Sequence, residues 1–354
     1  MEISGRHIGI GQPVYIVAEL SGNHLQSIDT AKATIEMACS AGADAVKLQT
    51  YTPETITIEC DNEYFQIKQG TIWDGVTLYD LYKTAYTPYE WHGELFEYAR
   101  GLGITIFSTP FDYTAVDLLE ENGTPAYKIA SFEINDIPLI EYTAAKKKPM
   151  IISTGIAMAE EIEEALAACR RVGNDKIVLL KCTSAYPTAV SQVNLRTMVD
   201  FRTRFGVEAG LSDHTTGNEI SVAAAALGAV MIERHVILDR SLGGPDAAFS
   251  LDAEQFGRLV AEIRNVEAAL GCVTYELSGS QMKSKEHSRS LFAVEDINAG
   301  DSITAANVKS IRPGFGLHPR YYAYVLGKKV SVDLKKGTPI KFEYIEQSDR
   351  FPMP

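Results

Sequence analysis

The chain has no long apolar run. The nearest, residues 220–230 with four consecutive alanines, falls short of the roughly 18 residues of a membrane span. The first residues, Met-Glu-Ile-Ser-Gly-Arg-His, lack the apolar core of a signal peptide. Cysteine is scarce. The five (Cys39, Cys60, Cys169, Cys182 and Cys272) are odd in number, and no two are spaced C-x-x-C. That argues against a disulfide framework and a thiolate zinc site, and a reducing cytoplasm is the expected home. Positive charge is also in deficit. Thirty-three Lys and Arg face 46 Asp and Glu, a net of −13, which argues against a nucleic-acid groove or an anionic membrane surface as partner. No G-x-G-x-x-G follows the first apolar strand, so an open dinucleotide-binding sheet has no support.

What is present is a rhythm. Eight short β-rich runs, at 15–20, 45–49, 105–109, 126–129, 150–153, 177–182, from 211, and 231–236, alternate with helical stretches at 27–41, 88–100, 113–121, 138–145, 160–171, 195–205, 217–227 and 252–270. Continuous apolar runs such as Ile177-Val178-Leu179-Leu180 suit parallel strands covered on both faces. Eight βα units in series predict a (β/α)8 barrel over residues 1–271. Residues 51–86 break the rhythm with a long aromatic segment carrying Trp73-Asp74-Gly75, and a loop of that length is usually functional. Residues 272–290 turn polar and read as a linker. Residues 291–354 read as a small strand-and-turn domain, with a net charge of +2 against −15 for the rest. Its short strands are expected at 291–294, 302–303, 308–311, 327–332 and 339–340.

Polar residues close the apolar runs: Glu19, Lys47, Thr109, Lys128, Ser153, Lys181, His214 and His235. In a barrel all of them gather at the C-terminal rim, where such folds keep their chemistry. His214 and His235 are 21 residues apart and meet only if neighbouring strands bring them together. Two neutral imidazoles can hold a divalent cation with positions left open, and oxygen donors in the remaining places favour Mn²⁺ or Mg²⁺ over structural zinc; the alternative is a pair of structural histidines. Lys47 and Lys128, with Thr109, Ser131, Ser153 and Ser212, form a pocket suited to phosphate. Alternatively the lysines pair with Glu19 and Glu133, or Lys47, Lys128 or Lys181 forms a Schiff base as in lysine-dependent aldolases. Glu19 and Glu133 are each a general acid or base, or a counter-ion, and spacing alone does not rank these roles. Arg312, in Arg312-Pro313-Gly314-Phe315-Gly316, is either displayed by a stiff turn or an ordinary surface arginine.

Several runs together carry a resemblance. They are Glu19 with Ser21-Gly22-Asn23-His24, Val46-Lys47-Leu48-Gln49-Thr50, Phe107-Ser108-Thr109-Pro110-Phe111, Tyr127-Lys128-Ile129-Ala130-Ser131, Ile152-Ser153-Thr154-Gly155, Leu211-Ser212-Asp213-His214-Thr215, Glu233-Arg234-His235 and Arg312-Pro313-Gly314. Over nearly its whole length the chain resembles the sialic acid synthase family. Within it, Trp73-Asp74-Gly75, Leu78-Tyr79-Asp80-Leu81-Tyr82, the run from Gly243 to Ser250, and Gly316-Leu317-His318-Pro319-Arg320-Tyr321-Tyr322 are similar to the branch that makes pseudaminic acid.

The resemblance implies a barrel followed by a small antifreeze-like (SAF) domain. It implies a transferase that condenses phosphoenolpyruvate with an open-chain amino-sugar aldehyde, here 2,4-diacetamido-2,4,6-trideoxy-L-altrose, releasing phosphate. N-acetylneuraminate or legionaminate synthesis is the alternative substrate reading, and a non-catalytic carbohydrate-binding protein is the alternative of another class. The family pattern implies that His214 and His235 hold the metal (Mn²⁺ or Mg²⁺, with Co²⁺ a further choice). It implies that Lys47, Thr109, Lys128, Ser131, Ser153 and Ser212 cradle phosphoenolpyruvate, and that Glu19 and Glu133 handle protons. Gln49, Tyr186, Asp246 and Arg312 match sugar-side positions. It further implies a homodimer in which the small domain of one chain caps the partner's barrel, so that Arg312 acts in the partner's site. Two departures stand out: Trp73 stands near where neuraminate synthases place an asparagine, and Arg289 where an apolar group is usual.

Overall fold

The computed structural model describes residues 1–68, 70 and 72–346. The chain forms two compact units, Met1–Gly271 and Cys272–Pro354. In the first, eight parallel strands close a barrel: β1 (Tyr15–Glu19), β2 (Ala45–Thr50), β3 (Thr105–Pro110), β4 (Tyr127–Ile129), β5 (Met150–Ser153), β6 (Ile177–Lys181), β7 (Glu208–Asp213) and β8 (Met231–His235). Neighbours in space are neighbours in sequence, and β8 returns to pair with β1.

Strand alternation sorts the side chains. In β1, Ile16 and Ala18 join the large core between strands and helices, while Tyr15 and Val17 point into the barrel. Phe107, Ile151, Val178, Leu180 and Met231 fill the interior with them. Ile3 and Ile8, from a short N-terminal hairpin (Glu2–Ile3 with Arg6–His7), belong to the same cluster. The inward position after Val17 is Glu19. Its Cα is in register with Lys47 on one side and His235 on the other. Helix ends follow local chemistry: Ser27 caps Ile28–Ser40 by accepting from the Thr30 amide at 3.2 Å, and Gly42 takes φ +90° just beyond its end.

The interruption at 51–86 has structure of its own. It contains helices Pro53–Ile56 and Leu78–Ala85, and between them Ile67 and Val76 are linked by a backbone hydrogen bond of 3.0 Å.

The second unit, described over 272–346, differs in kind. The stretch expected as a linker contains helix Gly279–Lys285. Its Ser278 cap and Gln281 close a capping box, a local signal that apolar periodicity does not register. Strands β9 (Ser290–Ala293) and β10 (Val308–Ile311) pair antiparallel. The other expected strands make only isolated bridges, such as Ser302 with Lys329 and Val330 with Ile345, because the chain turns every few residues. Leu291, Ile303, Val308, Val325, Val330 and Ile340 form its core. Residues 347–354 of the expected small domain lie outside the described residues.

Candidate active site

The rim is built by strand ends. Lys47 on β2, Lys128 on β4 and Glu233 on β8 are all nearly inaccessible, as is Glu19. Lys47 Nζ lies 2.9 Å from Glu19 Oε2, 3.4 Å from Glu233 Oε2 and 3.3 Å from Thr109 Oγ1. Lys128 Nζ lies 3.7 Å from Glu233 Oε1, which also accepts from Ser212 Oγ at 2.9 Å. Two buried ammonium groups thus share one carboxylate, and Glu19 completes the balance. Glu133 is not that partner: of the alternative in which the lysines pair with Glu19 and Glu133, the Glu19 half holds and Glu233 takes the place of Glu133. Glu133 follows β4 in the short turn Ser131–Glu133, half-buried, with Oε2 unpartnered.

Electrostatics divide the acids. Burial pushes Glu19 up to about 7, against the pull of Lys47, and burial likewise pushes Glu133 up to about 7. Burial would raise Glu233 too, but Lys128 and Lys47 outweigh it and hold it near 2. Lys47 is raised because its two carboxylates outweigh desolvation. Lys128 is lowered because desolvation prevails. Two acids that exchange their protons near neutrality therefore stand beside one permanent anion.

His214 and His235 lie side by side with ring centroids 5.1 Å apart. His235 Nδ1 has no hydrogen-bond partner, and Asp246 Oδ2 stands 3.7 Å away, beyond hydrogen-bond reach. Among the described residues no three His, Cys, Asp or Glu side chains cluster as metal ligands. The hydroxyls fall nearby in the fold: Ser153 Oγ is buried and unpartnered, and Ser131 Oγ accepts from the Gly155 amide at 3.0 Å. A side chain at Gly155 would meet Ser184 Oγ and Ser131 Oγ, at 2.2 and 2.7 Å from its Cβ, so both hydroxyls would have to turn aside to admit one. Gln49 donates to Glu19 Oε1 at 3.1 Å and to Ser21 Oγ at 3.0 Å, and Ser21 in turn donates to Asp246. Tyr186 packs edge-on against His214 at 4.6 Å. Lys181 is turned aside: its Nζ donates to Thr183 Oγ1 at 3.2 Å and to the Cys182 carbonyl. Arg312 is exposed and lies in the second unit, in the turn after β10.

Two features escaped the sequence reading. Glu233 sits within its strand rather than at its end, but it is two residues before His235 and so shares its inward face. Behind the histidines, on the outward face, the fully buried Arg234 donates to Asp213 Oδ2 at 2.6 Å, to the Gly217 carbonyl at 2.9 Å and to the Thr215 carbonyl at 2.7 Å. Asp213 and Arg234 immediately precede the two histidines, so this ion pair ties together the strand ends that present them. An arginine inside an apolar strand was the available signal.

Fold and rim together define a barrel enzyme that can hold an anion on paired lysines beside two imidazoles. The chain belongs to the NeuB family, which it matches over residues 34–275, and residues 288–346 match the SAF domain. It is 48% identical to a pseudaminic acid synthase of Helicobacter pylori, over 95% of this chain and 99% of that protein. It is 34% identical to an N,N'-diacetyllegionaminic acid synthase of Legionella pneumophila, over 96% of each. Among solved structures, the N-acetylneuraminic acid synthetase of Leptospira borgpetersenii in complex with citrate matches with a TM-score of 0.70 and 31% identity, over 80% of this chain and 94% of that one.

Proposed function

We propose that the chain condenses phosphoenolpyruvate with 2,4-diacetamido-2,4,6-trideoxy-L-altrose to give pseudaminic acid and phosphate. The likeness to the Helicobacter pylori synthase along nearly the whole of both chains carries the choice of substrate. The buried lysine pair gives that chemistry a physical footing. Lys47 and Lys128 are neutralised by Glu19 and Glu233 until a phosphate arrives. The phosphate then takes over part of their charge, with hydroxyls of Thr109, Ser131, Ser153 and Ser212 as donors. C3 of the enol attacks the aldehyde carbon, water adds at C2, and phosphate departs with its bridging oxygen by C–O cleavage. Glu19 and Glu133, both poised near 7, hold or release the protons of the added water and of the new sugar hydroxyl. Gln49, Tyr186 and Asp246 stand on the sugar side.

The orphaned Nδ1 of His235 beside His214 fits a divalent cation, Mn²⁺ or Mg²⁺ with Co²⁺ as a substitute, whose remaining places would go to water and substrate oxygen. When bound, such an ion supplies Lewis-acid polarisation of the aldehyde. The SAF unit is assigned to cap the barrel of a second copy and to deliver Arg312 there. A cytoplasmic home agrees with five free cysteines, and among the described residues no helix is long and apolar enough to cross a membrane.

A Schiff-base mechanism is disfavoured at Lys47, whose carboxylate neighbours keep it protonated. The test is phosphate release from phosphoenolpyruvate with the altrose-type sugar beside N-acetylmannosamine, before and after EDTA. Release with the first sugar, lost on chelation and restored by Mn²⁺, is expected. Turnover of N-acetylmannosamine alone would move the assignment to a neuraminate synthase, and no turnover of either sugar would leave a carbohydrate-binding protein.

A further inference from the structure

Beside the imidazole pair lies a second feature that the reaction chemistry leaves unused. A cavity of about 430 Å³ is lined by Ile72, Trp73, Gly244, Pro245, Ala247 and Ala248, a volume within the range of small-molecule sites. The one charged side chain on its wall, Arg240, is committed elsewhere, donating twice to the Ser250 carbonyl at 2.9 and 2.7 Å. Among the described residues the rest of the wall is mostly apolar.

An aromatic path joins this cavity to the histidines. Trp73 lies 5.6 Å from Tyr186, and Tyr186 lies 4.6 Å from His214. Phe249 closes the other side, 5.3 Å from Tyr186 and 5.0 Å from His235. Trp73 is held in place: its indole N–H donates to the Pro245 carbonyl at 2.9 Å, joining the long segment after β2 to the segment after β8. Pro245 itself rests on Gly22, where an added Cβ would come within 2.7 Å of its ring.

We infer that Trp73, with Ala247 and Ala248, forms an apolar subsite that selects a sugar whose far end carries a methyl group in place of a hydroxyl. The inference rests on the condensing reaction proposed above. An aldehyde carbon near the imidazoles leaves the remainder of an open-chain sugar to run along Tyr186 towards Trp73. A methyl group there is covered by carbon, whereas a hydroxyl gives up part of its water for a wall with few polar partners. A pocket of this kind discriminates by about 10- to 100-fold.

The experiment compares kcat/KM for the 6-deoxy sugar and for its 6-hydroxy counterpart, with KM for phosphoenolpyruvate measured alongside. The wild-type protein should prefer the 6-deoxy sugar by about 10-fold or more. Trp73→Ala should raise KM for that sugar, collapse the preference and leave KM for phosphoenolpyruvate unchanged. Ala248→Leu, an exposed position whose change fills the cavity without touching the core, should raise KM for the sugar in the same selective way. Wild-type turnover with no preference, a preference intact in both variants, or an equal rise in KM for both substrates overturns the subsite and leaves the condensation standing. No wild-type turnover of either sugar overturns both.

Discussion

The two units offer cations in opposite ways. At the barrel rim Lys47 and Lys128 are buried and already paired, each within 4 Å of a carboxylate. In the SAF unit Arg312 is exposed, and the turn that carries it is fixed by backbone contacts instead. Ser290 Oγ donates to the Pro313 carbonyl at 2.6 Å and accepts from the Gly316 amide at 2.9 Å, and the Gly314 amide donates to the Glu286 carbonyl at 2.8 Å. A buried cation needs an internal counter-ion, and binding an anion is then an exchange of partners. An exposed cation needs only to be aimed. Losing a charge at the rim should therefore disturb both chemistry and fold, whereas losing it in the turn should disturb chemistry alone.

Lys47→Met gives the largest expected effect. It removes the ammonium group proposed to bind phosphate, strips Glu19 of its cation and leaves Glu233 with Lys128 alone, 3.7 Å away. Breaking such a buried pair costs about 3–5 kcal/mol, and turnover should fall by at least about 1,000-fold. Phosphate release and thermal unfolding should both respond. A variant that retains wild-type turnover would remove Lys47 from the site.

Arg312→Ala should reduce turnover by about 100-fold, in the range seen when a charge-assisted hydrogen bond is lost, with unfolding temperature unchanged. If the SAF unit serves a partner's barrel, mixing Arg312→Ala with Glu19→Ala chains should restore activity in heterodimers, each having one complete site. Proven subunit exchange without recovery would show that each chain completes its own site. Ser290→Ala probes the aim rather than the charge. It should raise KM for the sugar several-fold, as expected for about 1 kcal/mol of hydrogen bonding, with kcat close to wild type. Equal kinetics would mean that Pro313 and Gly314 hold the turn alone.

The same contrast explains what could be read from sequence. Parallel strands covered on both faces spell themselves as apolar runs, and the polar residue that ends each run marks the rim. Glu19, Lys47 and His235 announced themselves in this way. Glu233 did not, because alternation places it inward one layer below the rim, where a polar residue is unexpected until its two lysines are known. In the SAF unit the code is weaker. Strands of four residues or fewer carry too little alternation, and Ser290, which fixes the Arg312 turn, looks like any serine until the fold brings it to Pro313 and Gly316. Local capping went the other way: Ser278 and Gln281 spell a helix in a stretch whose overall polarity suggests none.

The smallest expected effect concerns the proton on Glu133, an acid near the lysines but paired with neither. Burial places its folded-state pKa at about 7, against an ordinary 4.5. Below about 4.5 both folded and unfolded chains hold the proton, and it contributes no pH dependence. Between 4.5 and 7 the unfolded chain has released it while the folded chain retains it, so raising the pH favours unfolding. Above 7 the folded chain carries a buried charge, and the loss is complete. Glu19, raised for the same reason, adds a decline of the same sign. The buried histidines His24, His92 and His235, whose pKa values burial lowers, act in the opposite sense, so the Glu133 contribution is read as a difference: between pH 5 and pH 8 the unfolding temperature of Glu133→Gln should gain about 2 °C on that of the wild type. An unchanged slope would mean that Glu133 already exchanges its proton freely with water, and that the buried imbalance of charge is confined to the lysine pair and its two carboxylates.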